Sequence, residues 1–373
     1  MIEFKRNPVS LTFGVEAEFQ ILDVKSLDLV PRAEELMSQT TLKGLSKELF
    51  KSTIELISPV CRHVGEMDKF FESSYSILQQ ESRPLNLCFA ATGTHPFAHY
   101  SERQVTPTPR YHALLEQKSR WLLRRTAVYG THVHLGMRSG DECIRFHNFF
   151  LRFVPHLIAL SASSPYWHGL DTDLAACRPT MFESFPTGAI PYHFKTWEEY
   201  QNLVEKMLRF GSIRDLKDIW WDVRPSPEQG TLEIRICDSI ASRMELLAIV
   251  AFIQMLGYWF EDHQDDENAN LSPPLWVLRE NKWRALKDGM EAFYILPDTS
   301  GSCNLKDEIV KWLEVLGPYY ASRNALKYHE DLLSILSTGN SSTRQRKKFK
   351  ETSSLEAVAR MNVDEFSSGR PSL

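Results

Sequence analysis

The sequence predicts an α+β protein. Four short segments alternate apolar and polar residues with the two-residue period of a strand, and seven longer stretches repeat apolar residues at three and four, as helices do. The two kinds are intermixed without a regular β-α-β repeat, which disfavours a doubly wound parallel sheet. At 373 residues, 43% hydrophobic and 24% charged, the chain has a globular composition and material for a large core.

The first strand is expected over 11–22, L-T-F-G-V-E-A-E-F-Q-I-L. It sets Phe13, Val15, Ala17, Phe19 and Ile21 on one face and Gly14, Glu16, Glu18 and Gln20 on the other. Thr53–Ile57 repeats the design, with Glu55 opposed to Ile54 and Leu56, and a helix follows over 66–82. The proline-rich stretch 84–109 reads as a long surface loop before a helix over 110–129. Thr131–Gly136 brings His132 and His134 together opposite Val133 and Leu135. A helix over 143–161, a second proline-rich loop at 179–191 and a helix over 197–210 lead to the fourth strand, 231–237. There Glu233 and Arg235 oppose Leu232, Ile234 and Ile236. Helices are expected over 243–260, 275–293 and 307–316. From 337 the composition turns to S-T-G-N-S-S-T-R-Q-R-K-K-F-K. The expectation is one catalytic domain over 1–338 and a loosely attached C-terminal segment, 339–373, partly disordered at its last few residues.

With 43 basic and 48 acidic side chains the formal charge is −5, which excludes a generally basic nucleic-acid binder. Six cysteines at 61, 88, 143, 177, 237 and 303 stand too far apart for a zinc knuckle or a redox C-x-x-C, so they read as reduced thiols. The N-terminus M-I-E-F-K-R-N-P lacks the apolar core of a signal peptide. The uncharged run 246–260 is shorter than the roughly 20 residues that span a bilayer, and reads as a buried helix. A cytoplasmic protein without nucleic-acid or membrane partners is expected, with a homodimer favoured on general frequency.

Carboxylates at alternate strand positions face the same way and repel unless a cation sits between them. Alone, Glu16 and Glu18 read as a solvated strand face, and His132 with His134 as structural histidines or a zinc half-site. Jointly, four strands that place acids, histidines and an arginine opposite their apolar residues require charge compensation. Mostly carboxylate ligands with one or two imidazoles suit Mg²⁺, or Mn²⁺, better than a closed zinc site. Neither G-x-x-x-x-G-K-[ST] nor G-x-G-x-x-G occurs, so nucleotide phosphates would be held by metals and arginines. Arg235 lies beside Glu233, and Arg224, Arg178, Arg110 and Arg103 occupy polar loops or their edges, where a surface salt bridge is an equal reading for each loop arginine.

The motifs G-V-E-A-E-F (14–19), I-E-L-I-S-P-V-C (54–61), G-T-H-P-F (93–97), G-T-H-V-H-L-G (130–136), S-S-P-Y-W-H-G (163–169), W-W-D-V-R-P-S-P (220–227) and T-L-E-I-R-I-C-D (231–238) occur in this order. They resemble the carboxylate–amine ligases of the glutamate–cysteine ligase type 2 family, over roughly 10–300. The resemblance implies the catalytic fold shared by glutamate–cysteine ligase and glutamine synthetase, a curved, mainly antiparallel sheet forming an active-site funnel with helices packed outside. It implies an ATP- and Mg²⁺-dependent ligase that forms an amide between small-molecule substrates through an acyl phosphate, with glutamate and cysteine as the family-level pair. Glu16, Glu18, Glu55, His132 and Glu233 would be the metal ligands, and Arg235, with Glu233, would act at the reacting phosphate. Arg224, Arg178, Arg110, His134 and Glu48 are the candidate substrate and nucleotide contacts. The sequence departs from the family at Ala17, a packing position on the apolar face, and after 300 it keeps only Gln345 and Arg346. Two rival readings stay open: a phosphotransferase of the guanidino-kinase type, which would give no amide, and a metal-dependent hydrolase built on H-x-H, which would need no ATP. A non-catalytic binding protein of the same fold is a third.

Overall fold

The computed structural model describes residues 2–372. The alternating segments form an open sheet of seven strands: β1 (Phe13–Asp23), β2 (Leu45–Lys47), β3 (Thr53–Ile57), β4 (Leu87–Ala90), β5 (Thr131–Gly136), β6 (Val223–Ser226) and β7 (Thr231–Ile234). Their order is β6-β7-β5-β1-β3-β2, every pair is antiparallel, and β4 pairs the C-terminal end of β1. β1 is long enough to serve both neighbours on one edge, β5 through Phe13–Ala17 and β4 through Gln20–Asp23, while β3 runs along the other. This is the α+β architecture expected from the mixed periodicities.

One sheet face is dry. Phe13, Val15, Ala17, Phe19, Ile54, Leu56, Val133, Leu135, Leu232 and Ile234 are all buried in the main core. An antiparallel sheet sorts its residues this way because one face packs while the other meets solvent or a ligand. Helices cover the dry face. The central one, Arg243–Asp262, begins where the Ser242 hydroxyl accepts the Glu245 N–H, and it packs against Val64–Ser82 and Leu326–Thr338. It is long and apolar enough to cross a membrane, yet most of it is buried within the protein, as expected of 246–260.

Several expectations shift. The helix expected over 110–129 is two pieces, Pro109–Gln117 and Arg120–Arg124, the second capped by Ser119. That expected over 143–161 divides into Gly140–Leu151 and Val154–Ser161, with Pro155 in the first turn of the second, where a missing N–H costs nothing. The 275–293 helix stops at Asp288, because Gly289 takes a positive φ of 59°. The stretch 84–109 is not simply a surface loop. It supplies β4, then runs through the interior, where Gln20 Nε2 donates to the Thr92 carbonyl (2.9 Å) and hydroxyl (3.0 Å). Likewise 179–191 begins inside the short helix Arg178–Phe182 and ends in a two-residue strand, Gly188–Ala189.

The C-terminal segment is not loosely attached over its described length. It forms two helices, Ser341–Thr352 and Leu355–Ser368, and Phe366 enters the main core, stacking on Tyr75. Arg344, which reads as one of a solvated basic run, is buried between Glu245 and Glu365. Leu373, at the end of the stretch expected to be disordered, lies outside the described residues. All six cysteines are free thiols, as expected.

Candidate active site

Residues opposite each other on antiparallel strands share a face. The register sets Glu16 against His132, Glu18 against Glu55, His134 against Glu233, and Glu233 against Arg224. One stripe of charge therefore crosses five strands, β3-β1-β5-β7-β6. It lines a cavity of about 490 Å³, together with Glu48, Arg110, Arg178 and Arg235. The expected metal ligands, Arg235 and the candidate substrate and nucleotide contacts all line this space. Arg103 does not; it is buried on the carbonyls of Leu29 (2.7 Å) and His99 (2.9 Å) as a structural group. Lys47, Tyr111, Phe182, Lys217 and Trp220 also line the cavity and were not singled out by the sequence. Trp220 lies within the quoted W-W-D-V-R motif, whereas the others come from short or irregular elements with no period to mark them.

Glu16 bridges two imidazoles, with Oε2 3.4 Å from His132 Nδ1 and Oε1 3.4 Å from His134 Nε2. Burial alone would raise its pKa, but the hydrogen bonds and charges of the two histidines outweigh it and hold the carboxyl well below the usual range. Glu233 is fully buried, and its Oε1 lies 3.9 Å from His132 Nδ1 and 3.8 Å from His134 Nε2. Burial pushes it up too, and Arg224, at 2.8 Å from Nε to Oε2, and then Arg235, paired with Oε1, pull it well below. The other end of the stripe behaves oppositely. Burial and then the Glu18 charge push Glu48 up to about 8, while burial and then Glu48 push Glu55 well above its ordinary value. His132 is driven down by burial and then by Arg235. Negative charge is thus compensated at the β5–β7 side and crowded at the β1–β3 side.

Among the described residues, three sets of side chains bring ligand atoms within 4.8 Å of one another: Glu16, His134 and Glu233; Glu16, Glu55 and His132; and Glu18, Glu48 and Glu55. Among the described residues the buried Nε2 of His132 has no hydrogen-bond partner, while that of His134 meets only Glu16 and Glu233. Carboxylates with a minority of imidazoles, and no cysteine in the lining, fit hard divalent cations such as Mg²⁺ or Mn²⁺. Around them stand cations. Arg178 is buried, donates Nη1 to the carbonyls of Arg235 (3.3 Å) and Ile236 (3.4 Å), and crosses Gly130 where a Cβ would collide with it. Gly130 also donates its N–H to Glu18 Oε2 (2.6 Å). Arg110 reaches Asp215 (3.5 Å) and Asp218 (3.8 Å). Such an arrangement can neutralise several phosphates at once while holding an anionic co-substrate beside them.

Residues 12–361 match the sequence profile described as glutamate-cysteine ligase family 2 (GCS2). A Bdellovibrio bacteriovorus protein provisionally named glutamate–cysteine ligase 2 is 37% identical over 363 residues, covering 95% of this chain and 94% of that protein. A Gloeobacter violaceus protein of the same provisional name is 38% identical over 353 residues, covering 93% of this chain and 94% of that protein. Among solved structures, a glutamate–cysteine ligase from Francisella tularensis in complex with AMP superposes with a TM-score of 0.67 at 11% identity, covering 98% of this chain and 90% of that one. A bifunctional glutathione synthetase from Pasteurella multocida superposes with a TM-score of 0.69 at 15% identity, covering 96% of this chain. This chain spans 52% of the synthetase's length. At these identities the structural likeness is one of fold.

Proposed function

The chain belongs to the glutamate–cysteine ligase family 2, and on that footing we propose that it joins a carboxylate to an amine in a reaction driven by ATP and Mg²⁺, with glutamate and cysteine as substrates. The observation that carries this reading is the single antiparallel face on which Glu16, Glu18, Glu48, Glu55, His132 and Glu233 converge beside Arg224, Arg235 and Arg178.

Glu16, Glu18, Glu55, His132 and Glu233 would hold the cations, with His134 and Glu48 beside them. Bound there, Mg²⁺ supplies neutralisation of the ATP phosphates and of the charge that develops on the transferring group. A carboxylate is a poor electrophile, so the acyl carbon needs a leaving group before an amine can displace it. The substrate carboxylate oxygen attacks the γ-phosphorus, ADP leaves, and an acyl phosphate forms. The amine then attacks the acyl carbon, the carbon–oxygen bond to phosphate breaks, and amide and inorganic phosphate are released. Arg235 stabilises the transferring phosphoryl group, while Arg224, hydrogen-bonded to Glu233 and to the Ile219 carbonyl (2.8 Å), keeps the Glu233 carboxylate in register. Arg178 and Arg110 supply cationic contacts for anionic substrate groups. Six free thiols accord with a reducing, cytoplasmic setting.

The test is product formation by purified protein with ATP, Mg²⁺, glutamate and cysteine, scored by phosphate release and product mass. Glu233→Gln and Arg235→Ala are expected to abolish both while the proteins stay folded. Turnover unchanged in those variants, or a phosphorylated product with no amide, contradicts the proposal.

A further inference from the structure

Asp238 follows β7, where Gly130 faces it in an isolated antiparallel bridge. It is buried and outside the cavity lining, and among the described residues it forms no ion pair within 4 Å. Its Oδ2 accepts the Ser163 N–H (2.9 Å) and the Ser164 hydroxyl (2.6 Å), and its Oδ1 has no partner. Gly93 lies flat against the carboxyl group, since a Cβ there would stand 2.5 Å from Asp238 Cγ, and its N–H donates to Ser163 Oγ (2.8 Å). Ser164 Oγ in turn accepts the main-chain N–H of Arg178 (3.1 Å). The guanidinium of Arg178 is itself buried; among the described residues it donates to carbonyl oxygens and forms no ion pair within 4 Å, and its Nε has no partner. It lies 5.6 Å from the centre of the Phe182 ring, and Glu18 and Asp238 act on it as more distant charges. With no carboxylate paired directly to its tip, the guanidinium depends for its place on the main chain that carries it as well.

We infer that Asp238 is a positioning residue for Arg178: through Ser164 it fixes the start of the helix Arg178–Phe182, so that the guanidinium passes over Gly130 into the cavity wall. The inference rests on the ligase reading only in taking Arg178 to meet an anionic substrate. Asp238→Asn keeps an acceptor for both serines, and Asp238→Ala removes it.

The experiment uses the full chain with ¹⁵N-labelled arginine and identifies the Arg178 Nε–H resonance by its loss in Arg178→Lys. In Asp238→Ala that resonance is expected to move or broaden while those of Arg152 and Arg344 stay, and in Asp238→Asn to return. In steady-state kinetics Asp238→Ala raises KM for MgATP or for the carboxylate substrate by about tenfold with kcat within about threefold, and adds under about threefold in an Arg178→Lys background. Should Asp238→Ala fail to fold, Ser164→Ala cuts the same link and carries the same expectations. A resonance unmoved in the alanine variant, or Asp238→Asn as damaging as Asp238→Ala, overturns the inference. So does a KM effect undiminished beside Arg178→Lys. A wild type without ATP-dependent ligation overturns the ligase reading alone, and the resonance then decides the positioning role.

Discussion

Arg344→Met is expected to destabilise the protein by about 4 kcal/mol near neutral pH. Arg344 donates to Glu365 from Nε (2.7 Å) and Nη2 (3.0 Å), to Glu245 from Nη1 (2.9 Å) and Nη2 (3.0 Å), and to the Gly339 carbonyl from Nη1 (2.9 Å). Removing it leaves two carboxylates buried without a cation. Breaking a buried pair costs roughly 3–5 kcal/mol, because the surviving charge is uncompensated. The loss has a ceiling, because the Glu365 carboxyl can take up a proton instead. Moving a carboxyl from an ordinary 4.5 to above about pH 7.5 costs about 4 kcal/mol, and because burial already holds Glu365 above its ordinary value in the wild type this is an upper bound on its share of the deficit. The Ser242 hydroxyl still serves Glu245 (2.8 Å) and the Ser372 N–H still serves Glu365 (2.9 Å), so the two penalties do not add in full. The sign with pH follows. A carboxyl whose folded pKa is raised costs nothing below its unfolded value and progressively more as pH rises toward the folded one. Urea unfolding at about pH 7.5 and about pH 5 measures this, and the deficit of Arg344→Met against wild type is expected to fall by more than half at the lower pH. A deficit under about 1 kcal/mol near neutrality, or one unchanged on acidification, refutes the buried-charge argument for the C-terminal helices.

Three further outcomes are expected. His95 and His147 are held neutral by burial at about 4, and His156 at about 3, all below the ordinary 6.5. Their stabilisation is present above that ordinary value and is lost as pH falls toward 4, by roughly 2 kcal/mol per residue at about pH 5; His156→Phe should flatten the acid limb of thermal midpoint against pH, and an unchanged limb counts against it. Mg²⁺ or Mn²⁺ at about a hundred times its dissociation constant should stabilise the fold by about 2.7 kcal/mol, and Glu16→Gln should weaken that response in calorimetry, whereas an equal response would move the cation elsewhere. Gly130→Ala should cost at least about tenfold in kcat/KM, because its Cβ would displace Arg178, and activity equal to wild type would show the guanidinium free to move.

Much of the active face was legible because a strand has only two sides. The alternation in 11–22 separates Glu16 and Glu18 from Phe13 to Ile21, and the same period in Thr53–Ile57, Thr131–Gly136 and 231–237 exposes one acidic, one histidine and one acid–arginine stripe. Register then had to align them, and pairing Glu16 with His132 and Glu18 with Glu55 is a long-range result that no single segment contains. Tyr111 and Lys217 reach the cavity from the helix Pro109–Gln117 and a single 3-10 turn, and which of their side chains face it depends on how those elements dock, which no local period contains. The C-terminal run misleads for another reason. Arg344 looks like its basic neighbours, and only the carboxylates of Glu245 and Glu365, distant in sequence, make its burial favourable. In 84–109, proline and glycine suggest a surface, but Thr92, Thr94 and His95 satisfy their polar atoms on Gln20, Tyr166 and Leu27 inside the fold.

The proposed activation of a carboxylate as an acyl phosphate fixes the path of one oxygen atom. Glutamate labelled with ¹⁸O in its carboxylates is incubated with ATP, Mg²⁺, cysteine and the protein, and the released phosphate is analysed by mass. One ¹⁸O is expected in each phosphate formed with amide, because the bridging oxygen comes from the carboxylate. Unlabelled phosphate accompanying amide formation would contradict it.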